Sequence, residues 1–421
     1  MLLQTAQLLS SGGSQMSAIA YTLLVLALTG SPAKAGFVAF VRLLGMALLA
    51  LPAGLAADHW SRRRLMIAAH GVRALAIGAL AALIVVDAVA FWQIPAVAFV
   101  EGSGAALFSA ASAGALRAVV PQRQLPGAIS VVTGREAVVI LAAPPLGGAL
   151  FGLARALPFL AHAATYIVST LALLAMRTPF EEERERDRLP IRTRLAVGFR
   201  FLWDHPFLRT TSLLFALANF VGPGVLLAIV VIGERQGLSG GEVGVLLSLF
   251  GAGVLLGSFL SPFVRRALPV RGVLLLELWT WVGCGLFVVW PSVYVLAASI
   301  VPTALAIPST DSVVRGYQLA MTPDRLLGRV ESVRTTLALM IAPLGPLVAG
   351  LLLDAVSERA TIAVFAAFGL VLAAWGTLSP SIRAAPRLDE VTELPAQDAA
   401  PGALTGIGRS ARRAPRRRDQ R

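Results

Sequence analysis

The chain has 421 residues, 57% of them hydrophobic and only 14% charged, with a mean hydropathy of +0.76. A soluble domain is about half apolar and about a quarter charged, so this composition excludes an ordinary water-soluble domain and points to a polytopic membrane protein. The formal net charge is +13 and nearly all of it is arginine, Lys34 being the only lysine. These basic residues sit between apolar runs, which fits membrane topology and not nucleic acid. A lone cysteine, Cys284, lies inside an apolar run, so neither a disulfide framework nor a Cys/His metal site is expected. No basic segment precedes the first apolar stretch, and no cleavable signal peptide is read there.

A membrane-crossing helix needs roughly 20 mostly apolar residues. In chain order the runs that satisfy this are 4–30, 36–57, 65–86, 92–117, 128–153, 157–176, 210–232, 242–264, 271–290, 293–319, 328–353 and 359–379. The expectation is an all-α membrane protein of about twelve transmembrane helices. One set of alternate connections carries Arg62, Arg63, Arg64, Arg117, Arg123, Arg265, Arg266, Arg271, Arg325 and Arg329, and includes the central segment with Arg177, Arg184, Arg186, Arg188, Arg192, Arg194 and Arg200. The other set carries little beyond Lys34, Arg155, Arg235 and Arg359. Cytoplasmic loops are the arginine-rich ones, so both termini are expected in the cytoplasm.

The central polar segment divides the chain into a six-helix bundle over 1–177, a cytoplasmic linker over 178–209 and a second bundle over 210–379. Within the linker, "EEERERDR" reads as a solvated mixed-charge run, and "AVGFRFLWDHPFL" as an amphipathic stretch for the inner leaflet. The Pro-, Ala- and Arg-rich tail, 380–421, reads as disordered, with a basic end suited to anionic lipid.

The two halves repeat. "PQRQLPGAISVVTGREAVVILAAPPLGGALFG" from Pro121 and "PDRLLGRVESVRTTLALMIAPLGPLVAGLLLD" from Pro323 align at an offset of 202 residues. Arg123 then meets Arg325, Pro144 meets Pro346 and Gly148 meets Gly350; at nearly the same offset Gly54 meets Gly257. Such repeats are typical of secondary transporters.

The stretch "GLAADHWSRRRLM", Gly54 to Met66, places one Asp and three Arg between two apolar runs. Arg62 to Arg64 serve as a topology anchor, and Gly54 permits close helix approach. The segment resembles the loop motif between the second and third spans of the major facilitator superfamily, Gly-x-Leu-Ala-Asp-Arg-x-Gly-Arg-Lys. Gly54, Ala57, Asp58, Arg62 and Arg63 match it, while His59 and Ser61 depart from it. The resemblance implies the major facilitator fold of two pseudo-symmetric six-helix halves. It also implies that Gly54, Asp58, Arg62 and Arg63 gate the transporter by latching the halves in the outward-open state.

"APPLGG", Ala143 to Gly148, resembles the Gly-Pro-x-x-Gly-Gly signature of superfamily antiporters, with Ala143 in place of the first Gly and an echo in "GPLVAG", Gly345 to Gly350. Proline bends a helix and the glycines allow tight crossing, so Pro144, Gly147, Gly148, Gly345, Pro346 and Gly350 are the expected hinge and packing positions. "RLMIAAHGVRAL", "GFRFLWDHPFLR" and "MTPDRLLGRVES" resemble the branch of enterobactin-exporter-like and macrolide-efflux-like exporters, over nearly all of residues 1–380. That branch usually has a short cytoplasmic segment before its first span, which suggests a truncated or misassigned start. The resemblance implies a bacterial cytoplasmic membrane location.

Ionisable groups within spans are costly and mark function. At a rise of ~1.5 Å per residue, Glu101 lies roughly 13 Å and Glu136 roughly 12 Å into their spans, near mid-membrane. A carboxyl out of water favours its protonated form, which proton antiport requires, so Glu101 and Glu136 are the candidate proton carriers. Arg42 and Arg135 are candidate ion-pair partners of Glu136. Asp311 and Arg315, four apart on one helical face, form a candidate inner-gate pair. Arg73 and His70 are expected near the inner interface with Arg73 snorkelling; Trp279, Trp281, Trp290 and Tyr294 as packing or an interfacial belt; Asn219 and Phe220 as cavity lining.

The expected function is secondary active, proton-coupled efflux of a small amphipathic molecule, such as a drug, siderophore or secondary metabolite, by alternating access. The partners are the substrate, protons and the bilayer; no cofactor, metal, covalent chemistry or nucleic acid is expected. No Gly-x-x-x-x-Gly-Lys-Ser/Thr loop is present, so ATP is not the energy source. The alternatives are an importer or lipid flippase of the same fold, or a non-transporting membrane sensor or assembly protein.

Overall fold

The computed structural model describes residues 2–119, 125–176 and 191–385. Among these, no strand occurs, and twelve helices are long and apolar enough to cross a membrane. We number them span 1 (Gln7–Thr29), span 2 (Pro32–Ala57), span 3 (Arg62–Val85), span 4 (Gln93–Ser112), span 5 (Gly134–Leu153), span 6 (Leu157–Ala175), span 7 (Pro206–Arg235), span 8 (Gly240–Ala267), span 9 (Val270–Val289), span 10 (Val293–Met321), span 11 (Leu326–Ala355) and span 12 (Glu358–Leu378). Each coincides with one apolar run of the sequence. The run "EEERERDR" and the basic tail beyond Ala385 lie outside the described residues.

Helix ends in a bilayer must satisfy their own backbone groups. Ser31 accepts from the Lys34 amide at the start of span 2, and Ser357 from the Ala360 amide at the start of span 12. Ser239 and Glu242 form a reciprocal capping box on span 8. Span 1 ends on Gly30, whose φ of 64° lets its amide reach the Leu26 carbonyl. These caps share the end of the bundle opposite Arg62–Arg64.

Spans 1–6 and 7–12 form two halves. Span 2 packs on span 4, span 1 on spans 5 and 6, and span 3 on spans 4 and 6; in the second half span 8 packs on span 10, span 7 on spans 11 and 12, and span 9 on spans 10 and 12. The halves meet where span 5 crosses span 8 and span 2 crosses span 11. Both crossings are built on glycine. A side chain at Gly148 would run into the Gly240 backbone, and one at Gly350 into the Pro32 carbonyl and Gly36. Lipid tails are as apolar as leucine, so close packing rather than hydrophobicity drives such contacts.

Gly147 likewise sits on the Met16 backbone of span 1, and Gly345 on the Phe220 carbonyl of span 7. The "APPLGG" glycines thus make close approaches, while helix Leu125–Leu153 runs unbroken through Pro144 and Pro145. In the repeat the break falls at Ala342–Pro343, just before Pro346.

The close crossings cluster toward one end. There Ile19 and Leu23 of span 1 pack with Val230 of span 7 and Val243 of span 8, sealing the halves together. Ser31 of span 2 donates to Asp354 of span 11 at 3.2 Å. At the arginine-rich end, Gly54 has no heavy atom within 4 Å of where a Cβ would stand. The halves are thus closed at the end that carries Ser31 and Asp354.

The helix Ile191–Asp204, ahead of span 7, buries Leu202 and stacks exposed Phe199 on Trp203. Gly198 in it abuts the Arg329 backbone of span 11. The amphipathic segment is therefore a helix docked at the arginine-rich end.

Candidate functional site

Span 4 carries an acid where a chain normally tolerates none. Glu101 is fully buried, eight residues into its span, which is roughly 12 Å of helix rise. Its carboxylate receives Arg42 Nε of span 2 at 2.5 Å and Arg73 Nη2 of span 3 at 2.5 Å. Tyr166 Oη of span 6 donates at 3.0 Å and Ser14 Oγ of span 1 at 3.1 Å; Arg42 Nη2 also donates to Ser14 Oγ at 2.9 Å. Five spans thus converge on one carboxylate. The sequence permits it because two glycines, Gly102 and Gly104, follow the acid on span 4. A Cβ at Gly102 would strike the Arg42 carbonyl, and one at Gly104 the Arg73 side chain.

Arg73 is 2% exposed and lies 4.3 Å from the Tyr166 ring centroid, and His70 is fully buried. The expectation that they approach the interface by snorkelling is therefore wrong. A buried acid one span away offers Arg73 a partner that water cannot better at that depth. His70 and His162 flank Tyr166, with ring centroids at 4.9 and 4.3 Å. Both nitrogens of His162, Nδ1 of His70, Nε of Arg73 and the Tyr21 hydroxyl are buried without a hydrogen-bond partner, so the polar core is not closed upon itself.

Arg42 also faces outward from this core. Its side chain is 21% exposed and borders a cavity of about 350 Å³ between the halves. The lining comes from spans 1, 2, 5, 7, 8 and 11 and is mostly apolar, including Ile19, Val38, Pro144, Leu226 and Phe250. Gln15, Tyr21 and Thr22 are its uncharged polar members, and Arg42 is the one charged residue among them.

Glu136 forms one of the two ion pairs expected of it: it pairs at 2.8 Å with its neighbour Arg135, and its side chain is 41% exposed. Arg42, the other proposed partner, belongs to Glu101. Arg135 also donates to Gln7 at 3.1 Å.

Of the loop motif, Arg62 is buried, and Arg63 donates to the Leu173 and Leu174 carbonyls at 3.0 and 2.6 Å, capping the end of span 6. Asp311 and Arg315 are both exposed on span 10 and no ion pair closes between them. Asp311 instead feels Arg315, Arg334 and Glu331 together, and Arg334 pairs with Glu331 at 3.3 Å.

Trp281 is core, while Trp279, Trp290 and Tyr294 are exposed. Phe220 stacks on Phe365 at 5.1 Å and does not line the cavity; Asn219 is exposed and bonds the Phe215 carbonyl. Sequence reasoning missed Glu277 of span 9, buried at 7% exposure. The signal was present, an acid seven residues into an apolar span.

The profile of the Major Facilitator Superfamily matches residues 4–271, more than half of the chain. The chain belongs to the Major Facilitator Superfamily. It is a multi-pass membrane protein and a transporter of that superfamily. It is similar to the multidrug efflux pump Tap of Mycolicibacterium fortuitum, 25% identical over 404 residues covering 91% of this chain and 96% of that one. The Mycobacterium tuberculosis pump of the same name is 26% identical over 406 residues, 92% and 94% covered.

Solved superfamily structures share the fold. A bacterial homologue of the human lysosomal transporter Spinster, inward-facing and unoccupied, superposes with a TM-score of 0.69 at 18% identity, covering 91% of this chain and 96% of that chain. A bacterial homologue of the iron transporter ferroportin, inward-facing, gives 0.70 at 17%, with 89% and 97% covered. A D-xylose–proton symporter gives 0.70 at 13%, with 91% and 97% covered.

Proposed function

We propose that this transporter exports a small amphipathic molecule across a bacterial cytoplasmic membrane in exchange for protons, with both termini in the cytoplasm. On that orientation the conformation described is open to the cytoplasm. The observation that carries the reading is the position of Arg42, which lines the apolar cavity and at the same time holds the buried Glu101. An apolar cavity with few polar anchors suits an amphipathic ligand.

The same geometry supplies exchange. With Glu101 ionised, Arg42 is drawn to the carboxylate and the cavity wall is apolar enough for substrate. A proton on Glu101 removes that attraction. The Arg42 guanidinium then needs new acceptors, which only water in the cavity offers, and a hydrated guanidinium and an apolar ligand exclude one another. Binding of proton and of substrate are thereby negatively linked, as antiport requires. The Tap pumps, named for multidrug efflux, support the outward direction.

The test is retention of fluorescent amphipathic dyes in cells with and without the transporter. Expressing cells should hold less dye, and a protonophore should erase the difference. Equal retention, or a difference that survives the protonophore, would refute proton-driven efflux.

A further inference from the structure

Each half buries one acid at depth, but the two are treated differently. Glu101 has two guanidinium partners. Glu277 has none, although it is 7% exposed and lies seven residues from the start of span 9, roughly 10 Å of helix rise. Asp311 of span 10, another acid, lies near enough to repel it, and the Thr310 side chain is within hydrogen-bonding reach.

Among the described residues no cation comes within ion-pair distance of Glu277; Arg271 of span 9 and Arg265 and Arg266 of span 8 stand at the helix ends. Span 12, packed on span 9, has no titratable side chain between Arg359 and its end at Leu378. On span 10, Arg315 faces Asp311, as do Glu331 and Arg334 of span 11. Arg334 is paired with Glu331, and none of these cations pairs with Glu277. Among the described residues Glu277 is the buried carboxyl without an ion-pair partner. Thr303, the repeat mate of Glu101, is also buried with its hydroxyl unpartnered, as is Ser309.

A carboxylate at this depth without a cation carries the full cost of desolvation, and the neutral acid escapes it. A second carboxylate nearby adds repulsion that the neutral form also escapes. We infer that Glu277 is a second proton-binding carboxyl of this transporter, in the half opposite Glu101, and that it holds its proton in the conformation open at the arginine-rich end. The 3-10 turn Val282–Gly285, which interrupts span 9 one turn beyond Glu277, gives the segment a place to shift when that end closes. The inference rests on proton exchange only for its role in the cycle; the protonated state itself stands apart from that reading.

The experiment is infrared difference spectroscopy of the purified, reconstituted protein at neutral pH, followed by proton-to-substrate stoichiometry in proteoliposomes. The wild type should show the carbonyl stretch of a protonated carboxyl. Glu277→Gln should lose that band, and Glu277→Asp should shift it. Glu101→Gln, which removes an acid the structure holds in ion pairs, should keep it. Where transport is proton-coupled, Glu277→Gln should carry one proton fewer per substrate. A wild type without the band, or a folded Glu277→Gln that retains it in full, would overturn the inference while leaving proton-coupled efflux standing. Should Glu277→Gln fail to fold, the wild-type band and its shift in Glu277→Asp decide alone.

Discussion

Arg42 Nε reaches Glu101 Oε2 across 2.5 Å, and this one bond joins the wall of the central cavity to an acid with no exposure of its own. Arg73 completes the carboxylate from the other side. The arrangement ties spans 1, 2, 3, 4 and 6 of the first half to one carboxylate.

Breaking a buried charge cluster is expensive because the remaining charges stay buried. Glu101→Leu, which strands two arginines, should lower stability by about 3–5 kcal/mol. Arg73→Leu should cost less, since Glu101 keeps Arg42. Glu136→Gln should cost less than about 1 kcal/mol, because its pair with Arg135 is half exposed. Thermal unfolding in detergent gives the order; an equal cost for Glu101→Leu and Glu136→Gln would contradict the assignment of roles.

The twelve spans were legible because the requirement is simple: about 20 apolar residues, with arginine in alternate connections. The glycine crossings were legible from the repeat of "APPLGG". The partners of Glu101 were not. Arg42 and Arg73 stand on different spans, and which faces meet depends on helix rotation, which span length does not encode. Arg73 stands at the middle of span 3, and the acid on span 4 pairs with it there.

The glycine crossings make a separate prediction. Gly350→Val should push spans 2 and 11 apart at the closed end, where the added Cβ meets the Pro32 carbonyl. Ser31, bonded to Asp354 across that seam, reports the change when replaced by cysteine. The only native cysteine, Cys284, is buried and silent. An impermeant maleimide should label Ser31→Cys several-fold faster in the Gly350→Val background. Unchanged labelling would mean that the crossing does not hold the end shut.

Gly54 faces open space in this conformation. Gly54→Leu should therefore change the unfolding free energy by no more than the roughly 0.5 kcal/mol scatter of surface changes, yet stop transport if that space fills when the arginine-rich end closes. Full transport by Gly54→Leu would remove Gly54 from the gate.

Exchange through Glu101 is tested most directly in proteoliposomes with an imposed pH gradient, comparing wild type with Glu101→Gln. Glutamine keeps the shape and one accepting oxygen but cannot exchange a proton. The wild type should accumulate an amphipathic dye against its gradient; Glu101→Gln, neutral like the protonated acid, should bind the dye more weakly and without pH dependence, and accumulate none. Uphill accumulation by Glu101→Gln with the wild-type response to the pH gradient would contradict the account.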